Sequence, residues 1–166
     1  MKLKINKIIF ENETLYQGMI KMPKNWDIKT NDIVEHIKQL NFNENYNNWF
    51  CKEASRAEIF ILDYLRTEHK LQVETSKPSE GFIFKQNEIS EIESEHNYCD
   101  WVCLYGVDMD INSCSVLINS NTTEDKFKFK INQNDFIIFP SSLKYNIENS
   151  NNLKNNFLQK YFFTKP

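Results

Sequence analysis

The sequence has little of what phosphate and cofactor sites are commonly made from. Only 3 glycines and 4 prolines occur in 166 residues. No GxGxxG or GxxxxGK(S/T) pattern is present, which excludes the glycine-rich loops that cradle phosphates. Histidine is as scarce, with 3 in the chain: His36, His69 and His96. A formal charge of −3 argues against general nucleic-acid binding, because neutralising phosphates needs a basic surface. No run of about 18 apolar residues occurs, so nothing reads as a bilayer-spanning helix. The opening residues, MKLKINKIIF, begin with lysines but carry too short an apolar run for a signal peptide. The 4 cysteines, Cys51, Cys99, Cys103 and Cys114, are few for this length. They predict reduced, buried thiols and a cytoplasmic setting, in a bacterium or an infected host. The abundance of asparagine, lysine and isoleucine points to an AT-rich bacterial or viral genome.

Aromatic residues, by contrast, are plentiful: 14% of the chain, led by 13 Phe and 7 Tyr. That composition suits strands with large inward side chains. Residues 1–25 hold two short apolar stretches, KINKIIF and TLYQGMI, around a turn-like ENE, which fits a hairpin or two edge strands. A helix follows, with Thr30 or Asn31 as its cap and Ile33, Val34, Ile37 and Leu40 at helical spacing. His36 lies beside that stripe, at its solvated rim. The asparagine-rich stretch NFNENYNNWF reads as a loop that enters structure at Trp49. SRAEIFILDYLRTEHKL then reads as a second helix, with Ser55 and Glu58 as a capping box; a strand over residues 59–62 is the alternative. His69 falls on the surface, before a KPSEG turn.

From residue 81 onward, short apolar runs alternate with polar turns: GFIFK, WVCLYGV, SCSVLIN, KFKFKI, DFIIF, LKYNI and NFLQKYFF. KFKFKI places Phe127, Phe129 and Ile131 on one face and Lys126, Lys128 and Lys130 on the other, as a lysine-protected edge strand does. Strands at this spacing predict a sandwich or barrel. The chain therefore reads as a single β-dominated α+β domain over 1–166. Residues 1–80 supply N-terminal strands and helices packed on a jelly roll formed by residues 81–166.

Within that half, EHNY (95–98), WVCLYGV (101–107), SVLIN (115–119), FPSSLKY (139–145) and NFLQKYFF (156–163) stand in an order that resembles the iron(II)/2-oxoglutarate-dependent oxygenases. The likeness is to the small members of that family common in cyanobacterial viruses and marine bacteria. FPSSL and the strand order carry it, over about half the chain. The resemblance implies a double-stranded β-helix, the cupin-like form of the jelly roll. It also implies three iron ligands, at His96, Tyr98 and Tyr145, where the family has histidines or a carboxylate. Here only His96 keeps a ligand of the usual kind, and phenols that hold their protons near neutrality are poor iron(II) ligands. The family's basic residue for the 2-oxoglutarate carboxylate falls at Asn155 and Asn156, with Lys154 and Lys160 nearby.

These departures predict a non-catalytic binding or interaction protein with its metal triad lost and no cofactor. His96, Tyr98, Trp101, Tyr105, Tyr145 and Lys160 are the candidate pocket residues. The alternative is an active dioxygenase that uses iron(II), 2-oxoglutarate and unusual ligands, His96 with Glu95 or Asp100; Glu95 and His96, as neighbours, face opposite ways on a strand. The expected partner is a protein or a small molecule, with no general nucleic-acid binding and no membrane. Exposed edge strands make a homodimer a further expectation. Cys99 and Cys103 are expected on the face of Trp101 as inert core thiols. Ser141 and Ser142 read as turn residues.

Overall fold

In the computed structural model, which describes residues 6–10, 12–21, 27–95 and 97–166, an antiparallel hairpin opens the fold. It consists of β1 (Asn6–Phe10) and β2 (Glu13–Met19), in register from Asn6↔Gln17 to Phe10↔Glu13. Asn12 in its turn has φ 63°, a left-handed value that asparagine tolerates better than most residues. Residues 1–5, part of the first predicted stretch, lie outside the described residues.

Two helices follow, α1 (Thr30–Phe42) and α2 (Lys52–Glu68). Neither predicted cap holds. The N-cap of α1 is Lys29, without a side-chain cap, and its backbone N–H donates instead to Glu53 Oε2 at 2.8 Å. Glu53, in the first turn of α2, also accepts Arg56 Nη1 on both oxygens, at 3.0 and 2.9 Å. One buried carboxylate thus ties the starts of both helices together. Ser55 lies inside α2, its N–H bonded to Cys51 O, and Glu58 accepts from Thr75 Oγ1; the predicted capping box is absent.

The remaining strands are β3 (Glu74–Phe84), β4 (Trp101–Asp108), β5 (Cys114–Asn119), β6 (Lys126–Lys130), β7 (Asp135–Pro140), β8 (Lys144–Asn149) and β9 (Asn156–Thr164). They complete a six-stranded antiparallel sheet, β1-β2-β7-β4-β9-β3, and form a three-stranded one, β6-β5-β8. From β4 onward the chain passes between them: β4 in the large sheet, β5 and β6 in the small, β7 in the large, β8 in the small, β9 in the large. The protein is β-dominated, with antiparallel sheets and two helices, and the pattern fits a jelly roll.

Periodicity in the strands follows the layers. Along β9, Phe157, Tyr161 and Phe163 pack with the helices, whereas Leu158 and Phe162 pack between the sheets. The central strands β7, β4 and β9 of the large sheet are covered on both faces, so they read as unbroken apolar runs rather than alternations. β6, at the edge of the small sheet, alternates exposed lysines with half-buried phenylalanines. At Gly81 an added Cβ would collide with Ile37 of α1, and at Gly106 with Asn132 O; here the lack of a side chain lets layers approach.

Two expectations fail in the strands. KPSEG is no turn: residues 77–81 lie within β3, whose pairing to β9 shifts between Thr75 and Lys77 and again between Lys77 and Glu80. β3 is an edge strand, where proline and bulges are tolerated. Cys103 does share the helix-side cluster with Trp101, but Cys99 belongs to the inter-sheet cluster. It precedes the first residue of β4, so strand alternation does not extend to it.

Candidate functional site

Residues 88–93 run beside β8 without forming a continuous strand. Isolated bridges Ile89↔Glu148 and Glu93↔Tyr145 hold them there. Glu93 N–H donates to Tyr145 O at 2.7 Å and Tyr145 N–H to Glu93 O at 3.0 Å, and the Ser90 hydroxyl accepts Ile147 N–H at 2.7 Å. In this extended path Glu93 and Glu95, two apart, turn to one side, as alternation requires.

That side faces Lys160, the charged residue in the apolar run of β9. Its ammonium is 2.7 Å from Glu93 Oε2 and 3.0 Å from Glu95 Oε1. Lys160 is only 3% exposed, against 12% for the Glu95 side chain and 39% for that of Glu93. Three rings surround the ammonium, Phe82 at 4.7 Å, Tyr145 at 5.4 Å and Phe162 at 5.9 Å from their centroids, an arrangement whose quadrupoles favour a cation. Tyr145 Oη donates to the same Glu93 Oε2 at 2.9 Å. Burial, reinforced by the Glu93 carboxylate, pushes the Tyr145 phenol far above its ordinary value.

The predicted residues separate. Tyr145 and Lys160 meet between the sheets. Trp101 and Tyr105 lie on the opposite, helix-covered face of the large sheet, where Tyr105 Oη donates to Asn134 Oδ1 at 3.0 Å. Trp101 Nε1 is buried there with no hydrogen-bond partner among the described residues. Tyr98 is 63% exposed, with the Lys77 ammonium 4.9 Å from its ring. His96 lies outside the described residues. Of the alternative ligands, Glu95 turns to Lys160. Asp100 is committed elsewhere: it accepts Thr164 Oγ1 at 2.9 Å and Lys165 N–H at 2.8 Å, and these bonds hold its carboxyl below the ordinary range. Asn156 is fully buried, accepting Asp110 N–H and donating to Ser113 Oγ and Asn149 Oδ1, while exposed Lys154 pairs with Asp108 at 2.6 Å.

Sequence reasoning did not single out Glu93 as a pocket residue. The available signal was joint: an E-x-E pair and a lysine inside NFLQKYFF, since lysine is seldom fully buried unless paired.

Among the described residues no group of three or more His, Cys, Asp or Glu side chains could hold a metal ion. The donor set facing Lys160 is a phenol that keeps its proton and two carboxylates already in contact with an ammonium. Iron(II) takes imidazole and carboxylate on one open face, and this set does not fit it.

On the outside, two clefts of about 360 and 490 Å³ lie along β3 and share Trp49 and residues 77–79. Trp49 and Phe50 are 63% and 51% exposed beside them. Among the described residues, no helix is long and apolar enough to cross a membrane.

Two facing antiparallel sheets with helices on the larger one make a fold shared with 2-oxoglutarate-Fe(II) oxygenase-family proteins. The non-heme alpha-ketoglutarate-dependent epimerase SnoN from nogalamycin biosynthesis is similar at TM-score 0.62 and 6% identity, over 91% of this chain and 77% of that one. HygX from Streptomyces hygroscopicus, solved with nickel and 2-oxoglutarate bound, is similar at TM-score 0.61 and 6% identity, over 91% and 82%. A prolyl-4-hydroxylase from Pseudomonas putida is similar at TM-score 0.59 and 7% identity, over 91% and 88%. At such identities the likeness is one of fold. No protein-family model and no curated protein sequence matches the chain.

Proposed function

We propose that this chain is a non-catalytic binding or interaction protein on a double-stranded β-helix of the iron(II)/2-oxoglutarate oxygenase type, with the metal triad lost. The observation that carries the reading is the Lys160–Glu93–Tyr145 knot between the sheets. A buried ammonium and a protonated phenol between the sheets support it, because iron(II) chemistry needs open coordination positions. Fold alone does not fix activity, so the reading rests on these side chains. The ligand is a small molecule or a protein, and the clefts along β3, with Trp49 and Phe50 presented beside them, are its proposed seat. The setting is cytoplasmic: all four cysteines, Cys51, Cys99, Cys103 and Cys114, are free thiols, which suits a reducing compartment.

The competing reading, an active dioxygenase using His96 with Glu95, is decided by metal analysis of protein purified without chelators, followed by anaerobic titration with iron(II) and 2-oxoglutarate while melting is recorded. The proposal expects no bound iron and no shift. A rise of several degrees with both additions, lost in His96→Ala, refutes it, because a specific ligand raises the melting temperature by mass action.

A further inference from the structure

β6 is one edge of the small sheet and pairs only with β5. Alternate residues of such a strand turn backbone N–H and C=O groups outward. Among the described residues, no backbone hydrogen bond beyond the β5 ladder reaches residues 126–130. The core is also incompletely covered at this edge. Five half-buried apolar side chains flank the inter-sheet cluster, and four of them are Ile8 and Phe10 of β1 with Phe127 and Phe129 of β6. β1 is an edge strand of the large sheet, and the Phe10 and Phe127 rings stand 6.0 Å apart, so two open edges meet here.

The outer face of β6 has the opposite chemistry. Lys126, Lys128 and Lys130 are exposed on it, and exposed Lys144 of β8 lies in the row of Lys126, across Asn119. Against these four lysines the face of the three strands sets one carboxylate, Glu148, 3.8 Å from Lys128. The excess is local, since the whole chain carries −3. Such lysines keep an identical strand away, because a second β6 would set ammonium against ammonium. An acidic strand meets the reverse situation.

We propose that the open edge of β6 receives an extended segment of a partner polypeptide in which acidic and apolar residues alternate. The segment adds to the small sheet by main-chain hydrogen bonds. Its carboxylates lie opposite Lys126, Lys128 and Lys130, as cross-strand pairs do. Its apolar side chains turn inward and cover Phe127 and Phe129 together with Ile8 and Phe10. Single-stranded nucleic acid is the poorer fit: it stacks its bases on exposed rings, and Phe127, Phe129 and Tyr145 of this sheet all face inward. This surface goes beyond the clefts along β3, which lie at the other edge of the large sheet, and it does not depend on the absence of iron chemistry.

The test is fluorescence anisotropy with the labelled peptides EVEVEVE and KVKVKVK, the block isomer EEEEVVV, and an oligothymidylate. Each is titrated with wild type and with Lys126→Glu/Lys128→Glu/Lys130→Glu. Wild type is expected to bind EVEVEVE about tenfold more tightly than either KVKVKVK or the block isomer, and less tightly as salt rises. The triple variant is expected to melt like wild type and to prefer KVKVKVK. Wild type that binds EVEVEVE no better than KVKVKVK, the block isomer or the oligothymidylate overturns the proposal, as does a folded triple variant that still prefers EVEVEVE. Where the triple variant does not fold, EVEVEVE N-methylated at alternate residues, in each of the two registers, decides with wild type. Loss of binding in one register supports strand addition, and binding equal to that of the parent peptide in both overturns it.

Discussion

The ammonium of Lys160, carried by β9, lies 2.7 Å from Glu93 Oε2 on the far side of the jelly roll. It reaches there from a strand whose alternation neighbours on that face, Leu158 and Phe162, are apolar. The contact joins the large sheet to a segment tied to β8, among the described residues, by two isolated bridges. Charge therefore does here what a continuous strand would do elsewhere.

Replacing Lys160 by methionine keeps the chain length and removes the charge. Breaking a buried pair by deleting one partner costs about 3–5 kcal/mol, and the partial exposure of Glu93 places this case near the lower end. Urea unfolding of Lys160→Met is expected to show a loss of about 3 kcal/mol, with Lys160→Arg retaining part of it.

Tyr145→Phe removes the donor to Glu93 Oε2 but leaves Lys160 on the same atom. Hydrogen bonds to charged groups contribute about 1.5–3 kcal/mol, and the surviving ion pair limits the loss to about 1 kcal/mol. Equilibrium denaturation measures it. A loss as large as that of Lys160→Met would mean that the phenol, rather than the ammonium, organises the knot.

Glu53 links both helix starts through Lys29 N–H and Arg56. Glu53→Ala removes the acceptor of the part-buried Lys29 N–H and the carboxylate partner of Arg56, which keeps its bond to Asp27 O, and a loss of about 1–2 kcal/mol is expected, read as a lower urea midpoint with an unchanged slope.

Alkaline pH should weaken the fold. Burial, with the Glu95 carboxylate adding to it, pushes the Cys99 thiol up to about 11; burial alone takes Cys114 to about 12. Folded thiols then keep protons that the unfolded chain releases above the ordinary value of 9.0. Where the unfolded state binds fewer protons, stability falls as pH rises. Urea midpoints are expected to stay level for these groups below their ordinary value and to fall above it, less steeply in Cys114→Ala once its own loss of packing is subtracted. Stability that stays level up to the folded values would contradict this burial.

Much of the architecture was legible because strand periodicity reports burial. WVCLYGV and NFLQKYFF are continuous because helices cover one face of the large sheet and the small sheet the other, whereas KFKFKI alternates because one of its faces meets solvent. KPSEG misled because proline in an edge strand mimics a turn locally, and only the pairing to β9 distinguishes the two. The helix caps were misplaced because Glu53 satisfies the start of α1 from 24 residues away, beyond any local signal. Tyr145 and Lys160, named from motifs along the strands, meet between the sheets. Trp101 and Tyr105 were grouped with them although strand alternation sends those two to the helix side. Glu93 took its importance from a partner 67 positions later, a distance no spacing rule covers.

The central claim is most directly tested by crystals grown with manganese(II) and 2-oxoglutarate, with anomalous data collected at the manganese edge. The account predicts no anomalous peak between the sheets and continuous density from Lys160 to Glu93 and Glu95. A strong peak ligated by His96 and Glu95, with the Lys160 side chain displaced, would contradict it.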